Sequence, residues 1–282
     1  MISRFLIFIL TLQIGLCVEL PSGVTATTQK SSSSKTTKAV SKVSILCYHD
    51  FSAKYDATEM RIRKEAFEKQ MRQIKDSNLN VISMADFIEW KRGERELPKS
   101  NIMITIDDGW KSIYLIAYPI LKELDFPFTV GLYTNFIESG KLSLSKEMIK
   151  EMMQSGMTIS SHSVSHPLPS ANKDKRTTDE PSYLSFLKDE IGTSKESLEK
   201  AFDTKISTYI YPGGYFTQEM FPILRSFSYE YAFTVKPGKI TRDSKDLQLP
   251  RYVILGTTDR IFEYALDFGK TCLLYTSDAA DD

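Results

Sequence analysis

Asp107 and Asp108 are neighbours in Thr105-Ile106-Asp107-Asp108-Gly109-Trp110, and two of the chain's three histidines, His162 and His166, lie four residues apart in Ser161-His162-Ser163-Val164-Ser165-His166-Pro167. Adjacent carboxylates at the end of an apolar run repel each other and lose hydration, which a cation, a metal ion or a helix N-terminus usually offsets. A turn at Gly109 lets both reach one site, one binding metal and the other acting on water. The alternative is that Asp107 or Asp108 only caps a helix starting near Lys111. On a helical turn, a spacing of four puts both imidazoles on one face, within reach of a single ion. Two histidines and one carboxylate make a catalytic metal set with open positions. Zinc so held lowers the pKa of bound water and polarises a carbonyl oxygen. A second carboxylate, off the metal, can take the water's proton. These residues predict metal-assisted hydrolysis of an acyl bond.

The elements that position them alternate. Val43–Tyr48, Val81–Ser83, Ile102–Ile106, Phe128–Tyr133, Met157–Ser161, Ile206–Tyr211, Tyr231–Val235 and Tyr252–Leu255 are short apolar runs, expected as strands. Between them, helical stripes run through Phe67, Met71 and Ile74, Ala85–Arg92, Ile113 to Leu124, Lys146–Gln154, Leu184 to Phe202, and Glu219–Phe227. This alternation predicts an α/β fold with a mainly parallel sheet, as a barrel or as an open doubly wound sheet. In both, functional groups sit at the C-terminal ends of strands. Asp107-Asp108, His162 and Pro212-Gly213-Gly214 are all at such ends.

Acidic and basic residues balance at 36 each among 282, which gives no global pull toward nucleic acid or anionic membrane. The apolar run Phe5–Val18 behind Arg4 reads as an export signal, with residues 1–26 expected as the signal peptide and Val24-Thr25-Ala26 as a cleavage site. A retained anchor and lipidation at Cys17 are the alternatives, and either would be the chain's only membrane contact. Residues 27–42, mostly Ser, Thr and Lys, are expected as a linker, and residues 43–270 as the folded domain. Three cysteines support neither a disulfide framework nor a zinc cluster. Residues 271–282 lack amphipathic pattern and are expected to be a non-native tail.

The segments Thr-Ile-Asp-Asp-Gly, His-Ser-Val-Ser-His and Tyr-Pro-Gly-Gly, in this order, resemble the first three motifs of the polysaccharide deacetylase family (the NodB-homology domain, carbohydrate esterase family four). Leu46-Cys47-Tyr48-His49-Asp50-Phe51 looks like the strand that begins many members. The resemblance covers roughly Val43 to Leu255. It implies a distorted (β/α) barrel of parallel strands and removal of acetyl groups from a glycan. It makes Asp107 the base, Asp108, His162 and His166 the ligands of a divalent ion, with zinc expected, and the Gly213 amide the oxyanion donor. Tyr-Pro-Gly-Gly-Tyr-Phe is similar to the branch acting on exopolysaccharides such as poly-N-acetylglucosamine, which implies an acetylated polysaccharide as partner outside the cytoplasm.

The sequence departs from that pattern twice. Ile210 stands where many members have an Arg that orients the base; Arg251, in Leu249-Pro250-Arg251-Tyr252, is the candidate replacement, with a surface salt bridge as the alternative. The late Leu-x-x-His whose histidine acts as general acid is absent after His166, and His49 lacks that late context. The barrel reads as truncated at the C-terminus, and the absent terminal elements could leave one of its edges open. Trp110 and Tyr215 are candidates to stack on sugar rings; Tyr133, Phe136 and Phe216 are expected to pack. A non-catalytic glycan-binding member of the fold, or a small-amide hydrolase, are the competing readings.

Overall fold

The computed structural model describes residues 40–167 and 179–269, all in one compact unit that begins at Ala39. The expected signal peptide and tail, and most of the linker, lie outside the described residues. The strands are β1 (Lys42–Tyr48), β2 (Asp50–Ser52), β3 (Arg61–Arg63), β4 (Asn80–Val81), β5 (Ser100–Ile106), β6 (Thr129–Leu132), β7 (Thr158–Ser161), β8 (Thr208–Ile210), β9 (Tyr231–Phe233) and β10 (Tyr252–Val253). The main sheet runs β10-β1-β5-β6-β7-β8-β9 with β4 beside β5, and every pairing in it is parallel. Helices cover it, so the fold is a distorted (β/α) barrel.

The alternation of strand side chains sorts inside from outside. On β1, Leu46 and Tyr48 face outward into the cluster that holds Phe67, Met71 and Ile74 of the helix Lys64–Lys75. Val43 and Ile45 face the barrel interior with Met103, Ile210, Phe233, Ile240 and Leu249. The same cluster takes in Ile82, Met84, Phe87 and Trp90. Three of these belong to the helix Met84–Arg92, which Ser83 and Asp86 start with a reciprocal capping box. Further along β1 and β5 the inward positions become Cys47, Thr105 and Asp107, so an apolar lower barrel gives way to a polar upper one.

The sheet is a half-barrel with β9 and β10 at its two ends, and the segment leading into β10 spans part of the gap between them. Leu249 N–H donates to Ala232 O at 2.9 Å, Thr234 N–H to Leu249 O at 2.8 Å and Arg251 N–H to Lys236 O at 3.0 Å. Three residues on, β10 pairs with β1 through Leu46↔Tyr252 and Cys47↔Val253. Residues 249–254 therefore hydrogen-bond to β9 on one side and β1 on the other. Two expected helices are interrupted: π turns occupy Ile113–Ala117 and Asp189–Thr193, the second splitting the 184–202 stripe into Glu180–Lys188 and Ser194–Phe202.

Candidate active site

Asp107 extends β5 by one residue, its N–H donating to Tyr48 O at 2.9 Å. The chain then turns sharply: Asp108 has φ +78° and Gly109 φ +95°, a left-handed pair that Asp tolerates and Gly adopts freely. A Cβ on Gly109 would also lie 2.9 Å from Leu132 Cδ2. The turn sends the two carboxylates to different partners. Asp107, 2 % exposed, lies against the fully buried Arg251 in a bidentate pair, with Nη1 to Oδ1 and Nη2 to Oδ2 both 2.8 Å. Burial alone would raise the Asp107 pKa, but the charge and hydrogen bonds of Arg251 hold it far below the usual carboxylate range. Arg251 also donates to Thr234 O at 3.0 Å and Thr105 Oγ1 at 3.1 Å. It is buried in the barrel rather than in a surface salt bridge. Cys47, its thiol pushed up by burial, donates to Asp107 Oδ2 at 3.4 Å. On β6, Gly131 leaves room for the carboxylate, since a Cβ there would lie 3.2 Å from Asp107 Oδ1 and 2.8 Å from Ile210 Cδ1.

Asp108 points the other way. Its Oδ2 accepts the Trp110 indole N–H at 3.0 Å. Its Oδ1 is buried without a hydrogen-bond partner and lies 3.6 Å from both His162 Nε2 and His166 Nε2. Neither expected helical turn nor any other regular element links the two histidines. His162 continues β7, donating its N–H to Leu132 O at 2.9 Å. Left-handed residues at Ser163 (φ +74°) and His166 (φ +52°) then fold the chain back, leaving the imidazoles 4.7 Å apart between ring centroids. His162 Nδ1 is 2.8 Å from Ile210 O, which makes it the protonated nitrogen and presents Nε2 toward Asp108. Burial disfavours charge on His162, yet the close Asp108 carboxylate and the field of Asp107 raise its pKa. His166 is lowered by burial and by His162.

The three side chains fit a divalent ion. One ligand atom from each of Asp108, His162 and His166 lies within 4.8 Å of the others. Ligands held about 2.1 Å from a tetrahedral ion stand about 3.4 Å apart, close to the 3.6 Å separations here. The orphaned Oδ1 is the atom such an ion would satisfy. Cys47, His49 and Asp107 also cluster, but Arg251 already occupies both Asp107 oxygens and its charge opposes a cation there.

His49 is the residue that sequence reasoning missed. It follows β1 and is half-buried, with Nδ1 enclosed and without a partner. One of its ring nitrogens lies within 4.8 Å of a carboxylate oxygen of Asp107. Burial lowers its pKa while Asp107 and Asp108 pull it up. The signal was present: Leu46-Cys47-Tyr48-His49 has the Leu-x-x-His spacing sought near the other end of the chain, and β1 lies directly beside β10. Tyr133, expected only to pack, stands 5.3 Å from the His166 ring. Gly213 (φ +58°) lies exposed in the turn Pro212–Gly214 just after β8.

The polysaccharide deacetylase family model matches residues 94–232. That span takes in the Asp107-Asp108, His162–His166 and Pro212–Gly214 segments. Residues 94–232 carry a polysaccharide deacetylase domain. With that domain the chain is a hydrolase of carbon–nitrogen bonds other than peptide bonds. It is 27% identical over 223 residues to the poly-beta-1,6-N-acetyl-D-glucosamine N-deacetylase of Staphylococcus aureus strain MRSA252, covering 77% of this chain and 74% of that one. Its fold is similar to that of the Streptococcus pyogenes deacetylase PplD in complex with acetate (TM-score 0.69, 24% identity, 81% of this chain and 99% of that one). IcaB from Ammonifex degensii is similar to the same degree (TM-score 0.69, 21% identity, 80% and 96%).

Proposed function

We propose that the protein removes N-acetyl groups from N-acetylglucosamine units of an exported or cell-envelope polysaccharide, using a divalent ion held by Asp108, His162 and His166. The observation that carries this reading is the orphaned Asp108 Oδ1, 3.6 Å from two imidazole nitrogens, beside a second carboxylate locked by Arg251. The similarity to a poly-N-acetylglucosamine deacetylase supports the choice of glycan, and the apolar leader Phe5–Val18 supports export. A divalent ion held by these three residues would supply Lewis acidity toward the amide oxygen and water, so that a carboxylate as weakly basic as Asp107 can take the water's proton.

The chain's own groups divide the remaining work. Arg251 keeps Asp107 ionised and aimed, and Asp107 accepts one proton from the attacking water. The Gly213 N–H donates to the oxygen that gains charge, a contribution of roughly 3 kcal/mol for such donors. His49, near Asp107, is the group placed to give a proton to the departing amine nitrogen as the carbon–nitrogen bond breaks; burial lowers its pKa, so its protonated form must be supplied by the reaction or by acid, and the Asp107 and Asp108 charges favour that form. Trp110 spends its indole N–H on orienting Asp108, and its partly exposed ring, edge-on to Phe136 at 4.9 Å, stays available with Tyr215 to the glycan.

The test is acetate release from N-acetylglucosamine oligomers by protein stripped with chelator and resupplied with zinc. Release restored by zinc and lost in Asp107→Asn is the expected result. Release that survives chelation, or full activity in Asp107→Asn, would overturn the assignment.

A further inference from the structure

The loop that carries the two histidines has no strand or helix of its own, so something else must fix its backbone. Val164 and Ser165, between the histidines, both donate their N–H groups to Glu190 Oε2, at 3.0 and 2.9 Å. Ser165 Oγ donates to Glu190 Oε1 at 2.6 Å. A carboxylate only 8 % exposed thus gathers three hydrogen bonds from the two residues just before His166. Charge-assisted bonds of this kind are the stronger class.

Glu190 comes from the π turn Asp189–Thr193. Such turns insert one extra residue into a helix and concentrate at functional sites. This one is built in by its surroundings. A Cβ on Gly192 would fall 2.2 Å from Phe227 Cζ, so the close approach requires glycine. The Ile191 carbonyl takes the Tyr229 hydroxyl at 3.1 Å and Ser194 Oγ at 3.0 Å. Ser194 Oγ in turn lies 2.8 Å from Ser161 Oγ, on the strand that leads into His162. One short segment therefore holds the strand before the first histidine and the loop before the second.

We propose that Glu190 is a positioning residue of the metal loop, setting the separation of His162 and His166 and through it the affinity for the ion. This rests on the metal reading above. Partners of this kind, one step removed from the metal, are worth about 10–100-fold in affinity. Zinc affinity is measured by chelator competition, and site geometry by the visible absorption of the cobalt(II)-loaded protein. Glu190→Ala should bind zinc at least tenfold more weakly than wild type, with an altered cobalt spectrum, and turnover lost at limiting zinc should be recovered by excess zinc. A role confined to folding would lower the melting temperature and leave affinity and spectrum unmoved; affinity within twofold of wild type overturns the proposal. Should Glu190→Ala not fold, Ser165→Ala removes only the Oε1 bond: a severalfold loss of affinity supports the proposal, and unchanged affinity refutes it. Wild-type protein that takes up no zinc, like a His166→Ala control, would overturn the metal reading itself and the proposal with it.

Discussion

Replacing Arg251 with Met strips the charge from beside Asp107 and leaves a carboxylate 2 % exposed with no cation. Removing one member of a buried pair destabilises by about 3–5 kcal/mol. For a domain of this size that is roughly a 6–20 °C fall in melting temperature. The loss belongs to the stranded charge rather than to the missing side chain, so it must depend on Asp107. Asp107→Asn alone strands Arg251 in the same way. The double variant strands neither, and its destabilisation should fall several kcal/mol short of the sum of the singles. The pH dependence has a definite sign. Asp107 has a folded pKa below its unfolded value near 3.9, so the stability it brings is full above that value and is lost as pH falls toward the folded pKa. The gap between wild type and Arg251→Met should therefore be widest at neutral pH and narrow in acid. Turnover should drop by about 10²–10⁴-fold, the range for loss of a positioned general base. Denaturant unfolding across the four-member cycle at pH 7 and pH 3 measures all of this. Additive singles, with coupling under about 0.5 kcal/mol, would refute the idea that the two charges exist as a compensated pair.

His49→Gln should reduce kcat by about 10²–10⁴-fold while zinc affinity, read by chelator competition, stays at the wild-type level. Gly131→Ala pushes a methyl toward Asp107 Oδ1 and Ile210; it should lower turnover more than it lowers zinc affinity, which steady-state kinetics on the zinc-saturated variant will show. Trp110→Phe keeps a ring against Phe136 but loses the bond to Asp108. Zinc affinity should fall about 10-fold or more, measured by the same competition.

The residues closest together in sequence were the ones legible from it. Asp107-Asp108 and the histidine pair announce a metal site because their types are rare together, and the strand-helix alternation places both at strand ends. The reason offered for the pairing was wrong: a spacing of four is served by a loop with two left-handed residues, not by a helical turn, and Ser163 and His166 carry no composition signal for that conformation. Arg251 was legible only as a gap to be filled, since its partner lies 144 residues away and the contact depends on residues 249–254 bridging β9 and β1. His49 was lost because the expected position of a proton donor was the end of the chain, whereas the barrel sets its first strand beside its last. Glu190 was hidden by a π turn that depends on a glycine meeting Phe227, a tertiary contact that no local pattern records.

The closing segment 249–254 also orders events in time. Until it docks, Asp107 lacks its guanidinium partner, and the barrel top holds two carboxylates with only histidines beside them. A chain still emerging from synthesis cannot present a finished centre, because the segment just before β10 brings the guanidinium. Contacts spanning so much sequence form slowly, so this docking belongs late in folding. The Arg251–Asp107 pair therefore arrives together with the end of folding, and a partly folded chain lacks the ionised, aimed carboxylate that the pair supplies.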